Sequence, residues 1–420
     1  MIPSEDIMSI VKNTMNASIH CNTIRNYIGR RSCDNICMDM HDCLNMLESP
    51  FDRGDYLTVL EAADYILVTG VKLASCADSS SGMLTDVVLC TFELIERCTL
   101  EIAKQDKQLR DAALGMILKE AKKKAFDGWP DWRYDLMKYA ICLCDEKNAK
   151  KFENTLDAFM LELEKEDFPQ YRKKEILVVR FLLHRHLYGK EAMREELYKH
   201  LDIKELCIIA INDAVEAQNF DEAERLCIEK ANKDDTWNYR RHDPKDWNNI
   251  LFDIYIGSGN IEKQICQARK ILLYGNEDFW DTLKELYKKQ GTWAEVYSEL
   301  LDELKNSSQS VCYRKVLVKE NEKQRLLEDV TEKPYDLFYY GKYLVKDYPK
   351  QIYDLCYKVI TESCTQAKDR REYKKVTKQI AQLIKWKGKD TARDLIAELK
   401  QTYPRKPALI DELEKVEQNL

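Results

Sequence analysis

The densest set of metal-ligating side chains in the sequence is Cys33-Asp-Asn-Ile-Cys37-Met-Asp-Met-His41-Asp-Cys43, three thiols and an imidazole in one short run. Such groups hold structural zinc, which takes four ligands in a tetrahedron. On a helix Cys33, Cys37 and His41 fall near one face, while Cys43 points roughly two hundred degrees away from His41. One straight helix cannot wrap four such ligands around one ion, so a site would need an irregular segment or a ligand from elsewhere, such as His20 or Cys21. The reading preferred for these residues is core cysteines beside an exposed histidine, with no metal.

Other reactive patterns are weaker. His184-Arg-His186 puts two imidazoles on opposite sides of a helix with no Asp or Glu at a supporting offset, the pattern of a polar helix end near Tyr188-Gly189. Carboxylates in Glu162-Leu-Glu-Lys-Glu-Asp167 alternate with lysine in the manner of a solvated helix face. The sequence has no phosphate-cradling glycine loop, no nucleophile elbow and no His-Glu-x-x-His. Neither an enzyme nor a bound cofactor is expected.

Two groups point to binding. From Thr365 to Lys406 there are 13 Lys and Arg against 5 Asp and Glu, a local charge of +8 in a chain whose total is -7. Lys374, Lys375 and Lys378 lie inside that stretch, with Tyr373 and Trp386 as stacking or cation–π partners for a nucleic acid. The same residues fit a basic face turned toward an acidic protein, and Trp386 also fits as the anchor of a helix hairpin. Upstream, Tyr335, Tyr339, Tyr340, Tyr343 and Tyr348 recur at helical spacing, a pattern that suits a core edge or a peptide groove. Tyr335, Tyr339, Tyr343, Lys374, Lys375, Lys378 and Trp386 are therefore the expected partner-contacting residues.

These side chains must be positioned by helices. The chain has 420 residues, 45% hydrophobic and 33% charged, with only 13 Gly and 9 Pro. Glycine and proline at about half their average usage remove the punctuation that sheets need, so an all-α fold is expected. Three stretches align at their turns: Leu206 to Ala217 with Asn219-Phe220, Leu251 and Tyr255 with Gly259 and Ile261, and Leu283 to Tyr287 with Gly291 and Trp293. Similar turns occur at Arg53-Gly54-Asp55-Tyr56 and Trp386-Lys-Gly388. Each helix has one apolar stripe, a hairpin buries part of it, and the next hairpin must cover the remainder. The expected architecture is an α-solenoid of antiparallel helix hairpins, a tetratricopeptide-like superhelix. Residues 1–200 would form an irregular helical lobe and 201–420 the clearer repeats.

Fifteen cysteines in a chain of this size are expected as reduced core residues, Cys207, Cys227, Cys266 and Cys356 among them. Met1-Ile-Pro-Ser-Glu-Asp lacks the pattern of a signal peptide, and no apolar run is long enough to span a bilayer, so a cytoplasmic protein without membrane contact is expected.

The closing segment Leu395-Ile-Ala-Glu-Leu-Lys-Gln-Thr-Tyr-Pro-Arg-Lys-Pro-Ala-Leu-Ile-Asp-Glu-Leu413, with Arg53-Gly54-Asp55-Tyr56 and the loop from Asp78 to Gly82, resembles the helical C-terminal region of bacterial SWIM zinc-finger proteins. The finger itself reads Cys-x-Cys followed later by Cys-x-His; Cys142-Leu-Cys144 supplies the first half, and no Cys-x-His follows it. What the resemblance implies is a helical interaction array without the zinc finger. The functional expectation is a non-enzymatic scaffold that binds a protein or peptide along a concave surface. The alternative is a nucleic-acid-associated protein that binds through its basic C-terminal region.

Overall fold

The computed structural model describes residues 4–25, 27–164, 169–233, 246–418 and 420, with residues 4–6 described by backbone alone. The polar stretch Asp235–Pro244 and the end of the acid-rich run at Lys165–Asp167 lie outside the described residues. The fold is all-α: 22 α-helices and no strand among the described residues, with only isolated bridges at Ile24–Tyr27 and Ile28–Ala77. None of the helices is long and apolar enough to cross a membrane.

The chain divides into two compact units, Met1–Asp213 and Ala214–Leu420. The first holds α1 (Ser4–Asn22), α2 (Arg30–Asp52), α3 (Tyr56–Ala74), α4 (Met83–Ala103), α5 (Lys107–Ala121), α6 (Pro130–Ala140), α7 (Ala149–Leu163), α8 (Gln170–Tyr188) and α9 (Arg194–Lys199). The division falls within α10 (Lys204–Glu216). The second holds α11 (Phe220–Ala231), α12 (Trp247–Gly257), α13 (Ile261–Leu273), α14 (Phe279–Gln290), α15 (Trp293–Asn306) and α16 (Ser310–Lys319). It continues with α17 (Lys323–Glu332), α18 (Leu337–Leu344), α19 (Pro349–Gln366), α20 (Arg370–Lys385), α21 (Lys389–Thr402) and α22 (Pro407–Glu417).

One turn design recurs. Gly54, Gln218, Gly259, Gly291, Asn321 and Lys387 all take positive φ, between 57° and 86°, and each stands two residues before the next helix begins. The left-handed residue ends one helix and aims its N–H back at a carbonyl three residues earlier, for example Gln218 to Val215 at 2.9 Å and Lys387 to Ile384 at 2.9 Å. After Gly54, Gln218, Gly291, Asn321 and Lys387 the following N–H reaches back five residues, as Glu322 does to Leu317 at 2.9 Å. This is the Schellman way of satisfying terminal carbonyls, and it reverses the chain in two or three residues. Asn219 and Asn260 then cap the following helices, accepting from the N–H of Glu222 and Lys263.

In the second unit each helix from α11 to α22 packs on the next, and α13 also meets α15, α19 meets α21 and α20 meets α22. Its core runs from Phe252 to Leu413. In the first unit α3 is buried almost all round, between α1, α2, α4 and α5. A helix can sit that way only when its whole circumference is apolar. Gly70 allows it, because a Cβ there would meet Val88 at 3.2 Å and Met40 at 3.3 Å.

The cysteines are all free thiols. Cys207, Cys227 and Cys356 are buried as expected, whereas Cys266 is exposed on α13. The stripe that goes inside on α13 is Gln264, Ile265, Ala268, Ile271 and Leu272, which leaves position 266 on the outer side.

Asp64 is the exception in the α3 core: it is 2% exposed and neither carboxyl oxygen has a hydrogen-bond partner among the described residues. Burial, reinforced by Glu120 and Glu61 against the opposing charge of Lys123, holds its acidity well above the usual carboxylate range. The native state therefore keeps a proton that the unfolded chain releases near pH 4. Stability from this group is full below that pH and is lost as pH rises toward the native value, at about 1.4 kcal/mol per pH unit. Asp64→Asn should flatten that slope in urea titrations at stepped pH; an unchanged slope would place the proton elsewhere.

Candidate functional site

The tyrosine-rich segment begins where α17 ends. Lys333 precedes Pro334 and stands outside the α region, at φ -128° and ψ 79°, the region that a following proline disfavours. Pro334–Asp336 forms a single 3₁₀ turn that leads into α18. On α18 Leu337, Tyr340, Gly341 and Leu344 are buried, at the i, i+3, i+4, i+7 positions of one face. The opposite face carries Tyr339 and Tyr343, 59% and 40% exposed, and Tyr335 in the 3₁₀ turn just before the helix is 65% exposed. Four residues along an α-helix separate Tyr339 and Tyr343 by about 6 Å along the axis, and Tyr335 continues the four-residue spacing into the turn before it. Tyr340 is core and Tyr348 half-buried, so the five tyrosines of the motif split by helix face.

The row is braced from beneath. Arg314 of α16 is fully buried; its Nε donates to Asp329 at 2.5 Å, Nη1 to Asp336 at 2.7 Å and Nη2 to the carbonyl of Lys333 at 3.0 Å. Its guanidinium lies 4.8 Å from the Tyr335 ring and 5.6 Å from that of Tyr340. On the outer side Lys342 sits 5.0 Å from the Tyr339 ring and 4.8 Å from Tyr343. The row extends toward α16 through Tyr335, whose hydroxyl is 3.4 Å from that of Ser310, beside the exposed Val311. Arg314 did not stand out in the sequence, although a cation three residues before the core Leu317, in an otherwise apolar helix face, was the available signal.

Lys374, Lys375 and Lys378 are exposed on α20, opposite its buried face of Tyr373, Val376, Thr377, Ile380 and Leu383. None of the three has an ion-pair partner among the described residues. Trp386 corrects the sequence expectation of a stacking platform: it is only 9% exposed and its ring stacks on Phe338 at 6.1 Å. A Cβ at Gly341 would come within 2.5 Å of its indole, and Tyr353 donates a hydrogen bond to its carbonyl at 2.6 Å. The indole fills the gap between α18 and the end of α20, and no face of it is left for a base.

No three His, Cys, Asp or Glu side chains among the described residues are placed to hold a metal ion. Cys33, Cys37 and Cys43 are fully buried, and His41 is half-buried. Burial pushes the Cys37 thiol up to about 12 and Cys43 to about 11, so both are protonated at neutral pH rather than thiolates. Cys144 is buried and its thiol rises to about 12 for the same reason. His184 has a partner that the local sequence does not show: Glu153 of α7 lies 2.7 Å from its Nε2 and also accepts from Arg180 at 3.0 Å. His186 bonds the carbonyl of Cys144 at 3.2 Å. Both imidazoles tie α8 to earlier segments.

Comparison with protein-family models, with curated proteins and with solved structures finds no match to this chain.

Gly341→Ala forces the Trp386 indole out of its slot and should cost about 1–3 kcal/mol, the usual range for overpacking. Lys374→Glu with Lys375→Glu and Lys378→Glu, on an exposed face, should change stability by about 0.5 kcal/mol or less per position. Urea unfolding of the two variants checks both.

Proposed function

We propose that the chain is a non-enzymatic helical-repeat scaffold whose second unit is a tetratricopeptide-like solenoid of antiparallel hairpins. The hairpins pair α12 with α13, α14 with α15, α16 with α17, α18 with α19 and α20 with α21. The recurring short turn with a left-handed residue and the packing of helices on near neighbours support this reading. It agrees with the resemblance to the helical region of SWIM proteins. Free thiols throughout, four of them exposed, fit a reducing cytoplasm.

Tyr335, Tyr339 and Tyr343 carry the functional reading. Three exposed rings in a row are unusual on a surface with nothing to bind, since large aromatics give contact area at low entropic cost. In the proposed solenoid α16, α18 and α20 are first helices of consecutive hairpins, the set that lines a concave face. The tyrosines of α18 and the lysines of α20 would then share that face. An acidic segment of a protein partner matches it, its apolar side chains on the rings and its carboxylates on Lys342, Lys374, Lys375 and Lys378.

A nucleic acid is the second reading, favoured by the three unpaired lysines and by exposed rings on which bases stack. The two separate by experiment. The protein reading expects a partner that survives nuclease and moderate salt, is lost with Tyr335→Ala, Tyr339→Ala and Tyr343→Ala combined, and is retained by a Lys150→Glu control. Binding of a labelled RNA 20-mer that falls steeply with salt, with no nuclease-resistant partner, would overturn it in favour of the second reading. Capture that ignores the tyrosines would overturn both uses of this surface.

A further inference from the structure

The negative charge of the chain is concentrated at its start: residues 1–100 carry 7 Lys and Arg against 14 Asp and Glu, a balance of -7 that equals the total for the whole sequence. Much of it lies on α2 and α4. Ser81, just before α4, donates to Asp34 at 2.5 Å, and Arg97, toward the end of α4, donates to both oxygens of Glu48 at 2.7 and 2.8 Å. One bond joins the starts of the two helices and the other their ends, so α2 and α4 run side by side in the same direction.

Each turns one face to the core and one outward. The buried side of α4 includes Leu84, Val88 and Ile95, and its outer side carries Asp86, Leu89, Glu93, Glu96 and Leu100. On α2 Met38 and Asp42 are exposed. Met38, Leu89 and Leu100 are 50%, 52% and 49% exposed. A single exposed apolar side chain is ordinary, but these three stand among carboxylates that lack counter-charges. Asp42, Asp86, Glu93 and Glu96 have no ion-pair partner among the described residues, and Arg97, the one cation of α4, is already held by Glu48.

A surface that is acidic and apolar together selects its occupant. Phosphates of a nucleic acid or an anionic bilayer are repelled by it. The basic face of α20 on a second copy supplies charge without apolar contact, since among the described residues no large apolar side chain beyond Tyr343 is exposed. A helix with an apolar stripe bordered by Lys and Arg supplies both.

We propose that the outer face of α2 and α4 docks a basic amphipathic helix of a protein partner. Its apolar stripe lies on Met38, Leu89 and Leu100, and its cations meet Asp42, Asp86, Glu93 and Glu96. From Asp86 to Leu100 is about 21 Å along α4, the length of about four turns of the docked helix. Met38 is unbranched and adapts to the side chains laid on it. The site is in the first unit and takes a partner of opposite charge to the one assigned to the tyrosine row, so either reading can fail alone.

The probe is a fluorescein-labelled peptide of about 18 residues, Leu and Lys placed at helical period, compared by anisotropy with a Leu and Glu peptide of the same pattern on the full-length protein. The Leu/Lys peptide should bind and the Leu/Glu peptide should not. Glu93→Lys with Glu96→Lys should weaken binding about tenfold or more, and Leu89→Ala with Leu100→Ala about five- to tenfold. Glu262→Lys with Glu362→Lys, the same charge change at exposed positions of the second unit, should alter it by less than about twofold. Urea midpoints close to that of the parent confirm that the variants are folded. No binding, an equal loss in the Glu262 and Glu362 control, or no effect of the two leucine substitutions overturns the proposal. So does sedimentation velocity of the protein alone showing a dimer that Glu93→Lys with Glu96→Lys dissolves, because a second copy then occupies the face.

Discussion

A helix with one apolar stripe must find cover, and in residues 214–420 that cover comes from the next helix and, at several places, the next but one. The consequences reach down to single residues. Short connections keep successive helices within reach of one another, and connections of two or three residues are turned here by a left-handed residue, at Gly259, Gly291, Asn321 and Lys387. Gly341 is a glycine because the indole of Trp386 occupies the space where a side chain would begin. The apolar content of the unit is spread along a core from Phe252 to Leu413, so that each part depends mainly on its neighbours.

Within that scheme the tyrosine row depends on a charge. Burying Arg314 without partners would cost several kcal/mol, and Asp329, Asp336 and the Lys333 carbonyl together remove that penalty. Two of the three partners lie at the Pro334 turn, so the ion pair fixes where α18 starts and how Tyr335 is presented. A surface ring whose cation is held from three directions loses less entropy on meeting a ligand than a ring on a free side chain. The acidic turn residue Asp336 thereby serves the geometry of the surface rather than its charge.

The all-α class was legible because glycine and proline are scarce and apolar stripes recur at helical spacing. The turns at Phe220, Ile261 and Trp293 were legible through Asn219, Gly259 and Gly291, residues that favour caps or left-handed backbone. The turn before α17 was not, since Asn321 stands between glutamates in a polar run and carries no apolar anchor. Of the surface residues, Tyr335, Tyr339, Tyr343, Lys374, Lys375 and Lys378 are outside, and their helical period shows it. Trp386 was ambiguous between anchor and platform because both roles want an aromatic beside a turn; only its contact with Phe338 and Gly341 decides. Arg133 and Glu153 were invisible for another reason: Arg133 bonds back into the irregular connection before α6 and Glu153 pairs with α8, and spacing along one helix says nothing of either.

Asp64 and Arg133 show two ways in which a buried polar group persists. The carboxyl of Asp64 can take up a proton, so burial shifts its acidity and leaves the core intact at the expense of pH sensitivity. Arginine has no such exit, because its guanidinium stays charged throughout the range in which proteins fold. A buried arginine must therefore find anions: among the described residues Arg314 pairs with Asp329 and Asp336, and Arg133 with Asp127.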